Sequence, residues 1–148
     1  MVSEPSSRLR EYLRVCVDAA RAAASVVKEW SPRMIVDPGA AHVGRPNGTG
    51  PLARAKGAAN DLVTQADLAA QEAVRQTVLG AFPHHAVLGE EEDLGHDDST
   101  DTEFRWIVDP IDGTTNFVHG VPHYCVSLAL ERRGRPLVGA VQAVGMPK

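Results

Sequence analysis

The sequence lacks the features that direct a chain to a membrane, to nucleic acid or to the secretory pathway. Its 148 residues carry a net charge of −4 and show no basic stripe, which argues against a nucleic-acid surface. No uninterrupted apolar run approaches the length of a membrane span. The first residues lack the basic and then apolar pattern of a signal peptide. We therefore expect a cytoplasmic protein that binds neither membranes nor nucleic acid.

The sequence also lacks the patterns that are typical of disulfides and of zinc sites. The sequence contains two cysteines, Cys16 and Cys125, and each stands alone within an apolar pattern. This predicts buried, reduced thiols rather than a disulfide. Three histidines, at 84, 85 and 96, match no zinc-ligand spacing. Stability must therefore come from one hydrophobic core, which a chain of this length can bury as a single domain over residues 1–148.

Helical periodicity dominates the first half of the chain. A stripe with alternating intervals of four and three predicts a helix from about Ser7 to Trp30, ended by Ser31-Pro32; the stripe comprises Leu9, Leu13, Cys16, Ala20, Ala23, Val27 and Trp30. Residues 37–51, rich in glycine and proline, predict a loop. An extended piece at 61–63 then precedes a second predicted helix, whose inner face would comprise Leu68, Val74, Val78 and Phe82.

Strand patterns dominate the second half. A short strand is predicted at 86–88, and a buried strand from Phe104 that stops at Asp109. An acidic loop is predicted at 95–103. Two further runs, at 124–130 and 137–144, predict an antiparallel hairpin.

Two carboxylates stand where the buried strand is predicted to stop. Asp109 and Asp112 flank Pro110 in an irregular turn that Gly113 continues. Their oxygens, with a main-chain carbonyl, suit a hard cation such as Mg²⁺. The backbone amides of the Gly-Thr-Thr segment that follows suit a phosphate. A metal and a phosphate at one turn indicate phosphoryl chemistry.

Rival interpretations of this turn remain open on the residues alone. Asp-Pro and Asp-Gly are ordinary turn formers, and the spacing fails the EF-hand pattern. Phosphatases with an aspartyl nucleophile often show Asp-x-Asp-Gly-Thr after a strand. Here two residues separate Asp109 from Asp112, which predicts the second carboxylate on a different side of the turn.

The segment Asp109-Pro-Ile-Asp-Gly-Thr-Thr-Asn-Phe117 resembles the signature of the inositol monophosphatase family of Mg²⁺-dependent, Li⁺-sensitive phosphatases. Asp61-Leu-Val-Thr-Gln-Ala-Asp67 and Leu88-Gly-Glu-Glu91 resemble two further family segments in order and approximate spacing. The resemblance implies a layered α+β fold of αβαβα type, of which residues 8–146 would be the N-terminal part. Family members are often homodimers, so the resemblance also implies a possible homodimer.

The resemblance implies a metal centre built from four residues. Glu90, Asp109 and the Ile111 carbonyl would hold the first Mg²⁺, which carries the attacking water. Asp109 would bridge to a second ion, with Asp112 as a further ligand. Glu90, Ile111 and Asp112 would also lie against the substrate.

The resemblance further implies how water and phosphate are handled. Thr114, polarised by Asp67, would orient or deprotonate the water, while the amides of Gly113 and Thr114 hold phosphate oxygens. Without the resemblance, Asp67 would be read as capping a helix that starts at Thr64. Lys56 matches a lysine common near the family's active site and is a possible further member.

Substrate and completeness stay open at this point. The Thr-Thr-Asn-Phe ending of the signature favours inositol monophosphate or a related polyol or sugar phosphate, with histidinol phosphate as an alternative. Family members run on to a Trp-Asp-x-Ala segment that supplies another metal ligand and most substrate contacts. A truncated, non-catalytic relative that binds metal or a partner is therefore the second hypothesis.

Overall fold

The computed structural model describes residues 5–34, 51–89 and 102–145, and the side chains of all of these except 32–34 and 51–62. Its elements in chain order are α1 (Ser6–Met34), α2 (Pro51–Ala81), β1 (Ala86–Gly89), β2 (Phe104–Asp112), α3 (Thr114–Val118), β3 (Tyr124–Arg132) and β4 (Arg135–Val144). The α+β prediction is confirmed. The predicted loop at 37–51 lies outside the described residues except for Pro51, which begins α2 instead. Of the acidic loop predicted at 95–103, only Thr102 and Glu103 are described, and neither belongs to a helix or strand.

The first helix is longer than predicted. It continues past Ser31-Pro32 to Met34, where the Ser31 hydroxyl forms a 2.8 Å hydrogen bond with that of Tyr124 in β3. This tertiary contact stabilises the last turn of α1, which the sequence disfavours because a residue that precedes proline avoids helical dihedral angles. The apolar stripe is buried as predicted from Cys16 to Val27, but Leu13 is exposed and Tyr12 lies in the core instead.

The second helix begins well before the predicted start. Residues 61–63 belong to a continuous helix that begins at Pro51, so the extended piece and the Thr64 cap were wrong. Proline suits a first helical position, and four alanines in the added segment favour helix over the local strand preference. Leu68 is exposed rather than internal. The buried face consists of Ala66, Ala70, Val74 and Val78, with Phe82 just beyond the helix.

Four strands form one sheet in the order β1-β2-β3-β4. β1 lies parallel to β2, whereas β3 is antiparallel to both of its neighbours, β2 and β4. The predicted hairpin is confirmed, and its turn is only two residues long, Arg133 and Gly134. Both have positive φ, 50° and 77°, as in the primed turns whose twist matches that of the strands.

Both long helices pack on one face of this sheet. α1 contacts β2, β3 and β4, whereas α2 contacts α1, β1 and β2. Alternate residues of β3 are buried against the helices, among them Val126, Leu128 and Leu130. Cys16 is also buried there, with its thiol directed at the Leu128 carbonyl at 3.6 Å. The core therefore lies between the helices and this inner face.

The opposite face of the sheet, here called the outer face, carries the alternate residues. Ile107 of β2 and Val141 of β4 are exposed on it by 46% and 72%. Cys16 and Cys125 are both free thiols, although Cys125 is only half-buried because it lies on this outer face. In the part of the chain that the structure describes, no helix is long and apolar enough to cross a membrane.

Candidate metal and phosphate site

A β-bulge shapes the segment that holds the two aspartates. β2 runs on to Asp112 instead of stopping at Asp109. Asp109 pairs with Ser127 and Asp112 pairs with Cys125, with a register shift between them. β2 therefore advances three residues while β3 advances two, which inserts one extra residue into β2.

The bulge determines where the carboxylates point. Before it, Trp106 and Val108 face the core, whereas Asp109 belongs to the outer face. A regular strand would turn a residue three positions later to the opposite face. The extra residue offsets this alternation by one position. Asp112 therefore lies on the outer face, as Asp109 does, while Ile111 is buried. The prediction that the second carboxylate points elsewhere was wrong.

Local hydrogen bonds hold the bulge. The Ile111 amide donates to Asp109 Oδ1 at 3.2 Å, and the Ile111 carbonyl accepts from Thr114 Oγ1 at 2.9 Å. Pro110, which has no amide proton, is buried between the two aspartates. Both backbone polar groups of Ile111 are therefore satisfied within the turn, although its carbonyl keeps one further lone pair.

Gly113 links the bulge to α3. Its φ of 98° lies in the left-handed region, which favours glycine. A Cβ there would also lie 3.0 Å from the His123 carbonyl oxygen. The first helical bond of α3 runs from the Phe117 amide to the Gly113 carbonyl at 3.0 Å, so the preceding amides of Gly113 and Thr114 come before the helical ladder.

The outer face is electronegative beside Asp112. The Cys125 thiol lies 3.7 Å from Asp112 Oδ2. Burial raises the pKa of that thiol, and the nearby carboxylates of Asp112 and Asp109 raise it further. The negative charges of two carboxylates thus both act on the Cys125 thiol, and such a location favours the binding of a cation.

The structure describes the other predicted site residues only in part. Asp67 is half-buried on α2, a helix that contacts both β2 and α3. The Thr114 hydroxyl gives its single proton to the Ile111 carbonyl, so pairing with Asp67 requires that hydroxyl to rotate. Lys56 belongs to α2 about three turns before Asp67, but its side chain lies outside the described residues. Glu90 lies outside them altogether.

The chemistry of the donor set fits Mg²⁺. Two carboxylates on one face, beside a main-chain carbonyl, match the oxygen ligands that this ion takes, and Mg²⁺ usually keeps several waters. Among the described side chains, those of 5–31, 63–89 and 102–145, no three His, Cys, Asp or Glu residues lie close enough together to hold a metal ion. Further ligands would come from water or from residues outside these ranges, where Glu90 lies.

Two contacts of the site were not anticipated from the sequence. Cys125 was expected only as a buried thiol, because the register that places it opposite Asp112 cannot be read from one strand. Asn116 was used only as part of the signature, yet its Nδ2 donates to the His123 carbonyl at 2.8 Å. That bond ties α3 to the start of β3.

Comparison with known proteins agrees with this geometry. The model of the inositol monophosphatase family matches residues 8–147. The chain belongs to the inositol monophosphatase family. It is 51% identical over 82 residues to an inositol-1-monophosphatase of Rhizobium meliloti (strain 1021), covering 55% of this chain and 29% of that protein. It is 43% identical over 77 residues to a Nus factor SuhB of Pseudomonas aeruginosa, covering 52% and 28%.

Solved structures of the family share the fold. An inositol monophosphatase from Anabaena (Nostoc) sp. PCC 7120 aligns with a TM-score of 0.63 at 28% identity, over 93% of this chain and 39% of that one. The chain therefore spans well under half the length of the family members that it matches. The layered α+β fold of the family is confirmed for the portion present.

Proposed function

We propose that this chain supplies the Mg²⁺-binding part of a phosphate monoester hydrolase that acts on inositol monophosphate or a related polyol or sugar phosphate. The observation that supports it most is the bulge, which brings Asp109 and Asp112 to one face beside the Gly113 turn. Family membership supports a phosphatase of this kind. Its full activity would draw on the part of the relatives that this chain does not span.

The ion-binding residues would be Asp109, Asp112, the Ile111 carbonyl and Glu90. When bound, Mg²⁺ neutralises phosphate charge and lowers the pKa of the attacking water. Without a bound cation, the negative charges of these carboxylates would repel the phosphate group of the substrate from the turn. Substrate binding is therefore expected to require the ion.

Thr114 and Asp67 would orient the attacking water and accept its proton. Hydrolysis forms a bond between phosphorus and the water oxygen and breaks the bond between phosphorus and the ester oxygen. The water gives up a proton, and the ester oxygen takes one up and leaves as the alcohol. With its own proton turned towards Asp67, Thr114 Oγ1 presents a lone pair that orients the water. The amides of Gly113 and Thr114 would bind phosphate oxygens, since phosphoryl transfer depends chiefly on positioning and on charge stabilisation.

The second candidate function is binding without turnover. It is favoured by the relatives named Nus factor SuhB, at 43% identity in Pseudomonas aeruginosa. A chain with that role would retain the fold and the bulge and would serve a partner rather than a substrate. Self-association into a homodimer is compatible with either function.

Phosphate release from inositol 1-phosphate, with and without Mg²⁺, tests the proposal. We expect release that requires Mg²⁺ and falls by roughly 100-fold or more in Asp112→Asn, because a lost metal ligand should cost at least as much as a lost outer-shell partner. Asp18→Asn is the matched control, since Asp18 is an exposed α1 carboxylate paired only weakly with Arg14, at 3.7 Å. Histidinol phosphate is assayed in parallel to rank the two substrates.

The outcomes separate the candidates. Release that needs no Mg²⁺, or that survives in Asp112→Asn, contradicts the metal site. No release from a folded chain rejects catalysis by this chain alone and leaves binding without turnover as the leading function. Trapping of a phospho-aspartate would instead support the aspartyl nucleophile, because direct attack by water forms none.

A further inference from the structure

Asn116 of α3 holds the segment that leads from α3 to β3. Its Nδ2 donates to the His123 carbonyl at 2.8 Å, and its own carbonyl accepts from the Val121 amide at 2.9 Å. The His123 amide in turn donates to the Val121 carbonyl at 2.7 Å. One residue of α3 is therefore bonded to both ends of the segment 121–123, through its side chain at one end and its backbone at the other.

The carbonyl that Asn116 holds lies against Gly113. A Cβ at Gly113 would lie 3.0 Å from the His123 oxygen, the nearest atom to that position, and 3.2 Å from Cα and Cβ of Tyr124. These atoms belong to the backbone or are attached directly to it, so none of them can move aside by a side-chain rotation. The direction of the His123 carbonyl therefore limits where Gly113 can lie.

Two further contacts close the same stretch of chain, residues 112–125. Asp112 pairs with Cys125 in the ladder between β2 and β3. The ring of Phe117 packs edge-on against that of Tyr124, with centroids 5.2 Å apart and planes at 86°. Ring packing tolerates sliding, whereas a hydrogen bond is directional. The bond described above is therefore the contact that determines how the carbonyl beside the turn is oriented.

The turn that this carbonyl touches carries the candidate phosphate contacts. The amides of Gly113 and Thr114 precede the first helical bond of α3, and Gly113 has a φ of 98°. In contrast, Asp109 and Asp112 belong to β2 and are held by its pairing with β3. A change in the direction of the His123 carbonyl should consequently displace the two amides more than the two carboxylates.

We infer that Asn116 is a positioning residue of the phosphate-binding turn: its carboxamide orients the His123 carbonyl, against which Gly113 lies, and thereby directs the amides of Gly113 and Thr114. Asn116 acts through the His123 peptide and not by contact with the phosphate. The inference rests on the proposed function, because it takes these two amides as phosphate ligands.

Separate measurements of ion and phosphate affinity on the full chain test this without an activity assay. Electron paramagnetic resonance measures the affinity for Mn²⁺, and paramagnetic broadening of the ³¹P signal measures the affinity of inorganic phosphate for the Mn²⁺-loaded chain. Asn116→Ala should weaken phosphate binding roughly 5- to 10-fold, the scale of one net hydrogen bond. Its Mn²⁺ affinity should stay within about twofold of the wild type. A general loosening of the fold would not separate the two affinities.

Gln142→Ala is the matched control. Gln142 makes the same kind of bond on β4, where its Nε2 donates to the Ala143 carbonyl at 3.1 Å. Both affinities of this variant should lie within about twofold of the wild type. If Asn116→Ala does not fold, Asn116→Ser is measured instead with the same expectation, because its hydroxyl ends one bond short of the amide nitrogen that donates to His123.

A double-mutant cycle isolates the path through His123. Gly113→Ala alone brings a Cβ against a carbonyl that Asn116 holds in place, and it should weaken phosphate binding. In the Asn116→Ala background the carbonyl can yield, so the same change should weaken phosphate binding by a smaller factor. This non-additivity is expected only if the two residues act through one contact.

The results distinguish failure of this inference from failure of the proposed function. Wild-type phosphate affinity in a folded Asn116→Ala overturns the inference and leaves the proposed function intact. Equal losses of Mn²⁺ and phosphate affinity, or additive effects in the cycle, overturn it as well. A folded wild-type chain that binds Mn²⁺ but no phosphate overturns the proposed phosphate contacts, and the positioning role with them.

Discussion

Asp109 and Asp112 lie on the same face of the sheet, although a regular strand would direct residues three apart to opposite faces. The extra residue in β2 is what brings them together, with Ser127 and Cys125 opposite them on β3. Both carboxylates therefore lie on the outer face, where the Cys125 thiol is 3.7 Å from Asp112 Oδ2.

The first prediction concerns stabilisation of the chain by Mg²⁺. Without Mg²⁺, Asp112→Asn should leave the Tm within about 2 °C of the wild type, because Asp112 is exposed and the amide keeps an oxygen near the Cys125 thiol. With Mg²⁺, the wild type should gain stability by ligand linkage and the variant should not. Thermal unfolding followed by circular dichroism, with Asp18→Asn as control, measures both effects.

Equal Mg²⁺ stabilisation of the wild type and Asp112→Asn would contradict that prediction. It would show that any ion bound by the chain does not use this carboxylate.

The second prediction concerns the turn after the bulge. Gly113→Ala should destabilise the fold by about 1 to 3 kcal/mol, because the residue has a φ of 98° and a Cβ would lie 3.0 Å from the His123 oxygen. Gly80→Ala is the control, since nothing lies within 4 Å of a Cβ at that helical position. It should instead stabilise by up to about 1 kcal/mol. Urea unfolding of both variants provides the free energies.

A Gly113→Ala chain as stable as the wild type would mean that the turn can relax to negative φ. The positions of Thr114 and its hydroxyl would then not depend on the glycine.

The third prediction is a pH dependence that originates at the opposite end of β2. His85 Nδ1 accepts a 3.0 Å hydrogen bond from Trp106 Nε1, and the ring stacks between Phe82 and Phe104 at 4.7 Å from each. Burial lowers the pKa of His85 from its usual 6.5, and the charges of Arg8 and His84 lower it further. The folded state therefore favours the neutral ring, which alone can accept from the indole.

Because the folded pKa lies below the unfolded one, the unfolded chain takes up this proton first as the pH falls. The contribution of His85 to stability should be complete above about pH 7 and should decline below 6.5. The free energy of unfolding of the wild type should consequently fall faster towards pH 5 than that of His85→Gln, whose amide oxygen can still accept from Trp106. His84→Gln should fall almost as steeply as the wild type, because it removes only the smallest of the three causes that lower the pKa of His85.

Parallel curves for the wild type and His85→Gln would contradict this prediction. The hydrogen bond to Trp106 would then not depend on the charge of the imidazole in this range.

Much of the fold follows from local chemistry that one sequence displays. The hairpin of β3 and β4 was predicted because its strand formers flank a basic turn with a glycine, and that glycine does adopt positive φ. The buried side of α1 followed from helical periodicity. Family membership followed from the signature at Asp109, whose residue types and spacing are rarely combined by chance.

Tertiary contacts decided the features that local patterns misjudged. The last turn of α1 continues past Pro32 because Tyr124 bonds Ser31. The segment at 61–63 is helical although its valine favours a strand, since propensity is a weak determinant next to the packing of a long helix. Tyr124 is 93 residues away from Ser31 in the sequence, so a local pattern cannot show this contact.

The sequence by itself determined which residues could hold a cation and a phosphate, because ligand chemistry belongs to residue types. It could not determine that Asp109 and Asp112 share a face, since the face of a strand residue depends on the register with β3 and on one extra residue. Nor could it reveal that Gly113 lies against the His123 carbonyl that Asn116 holds. Such relationships arise only when neighbouring strands and the turns between them are packed against each other.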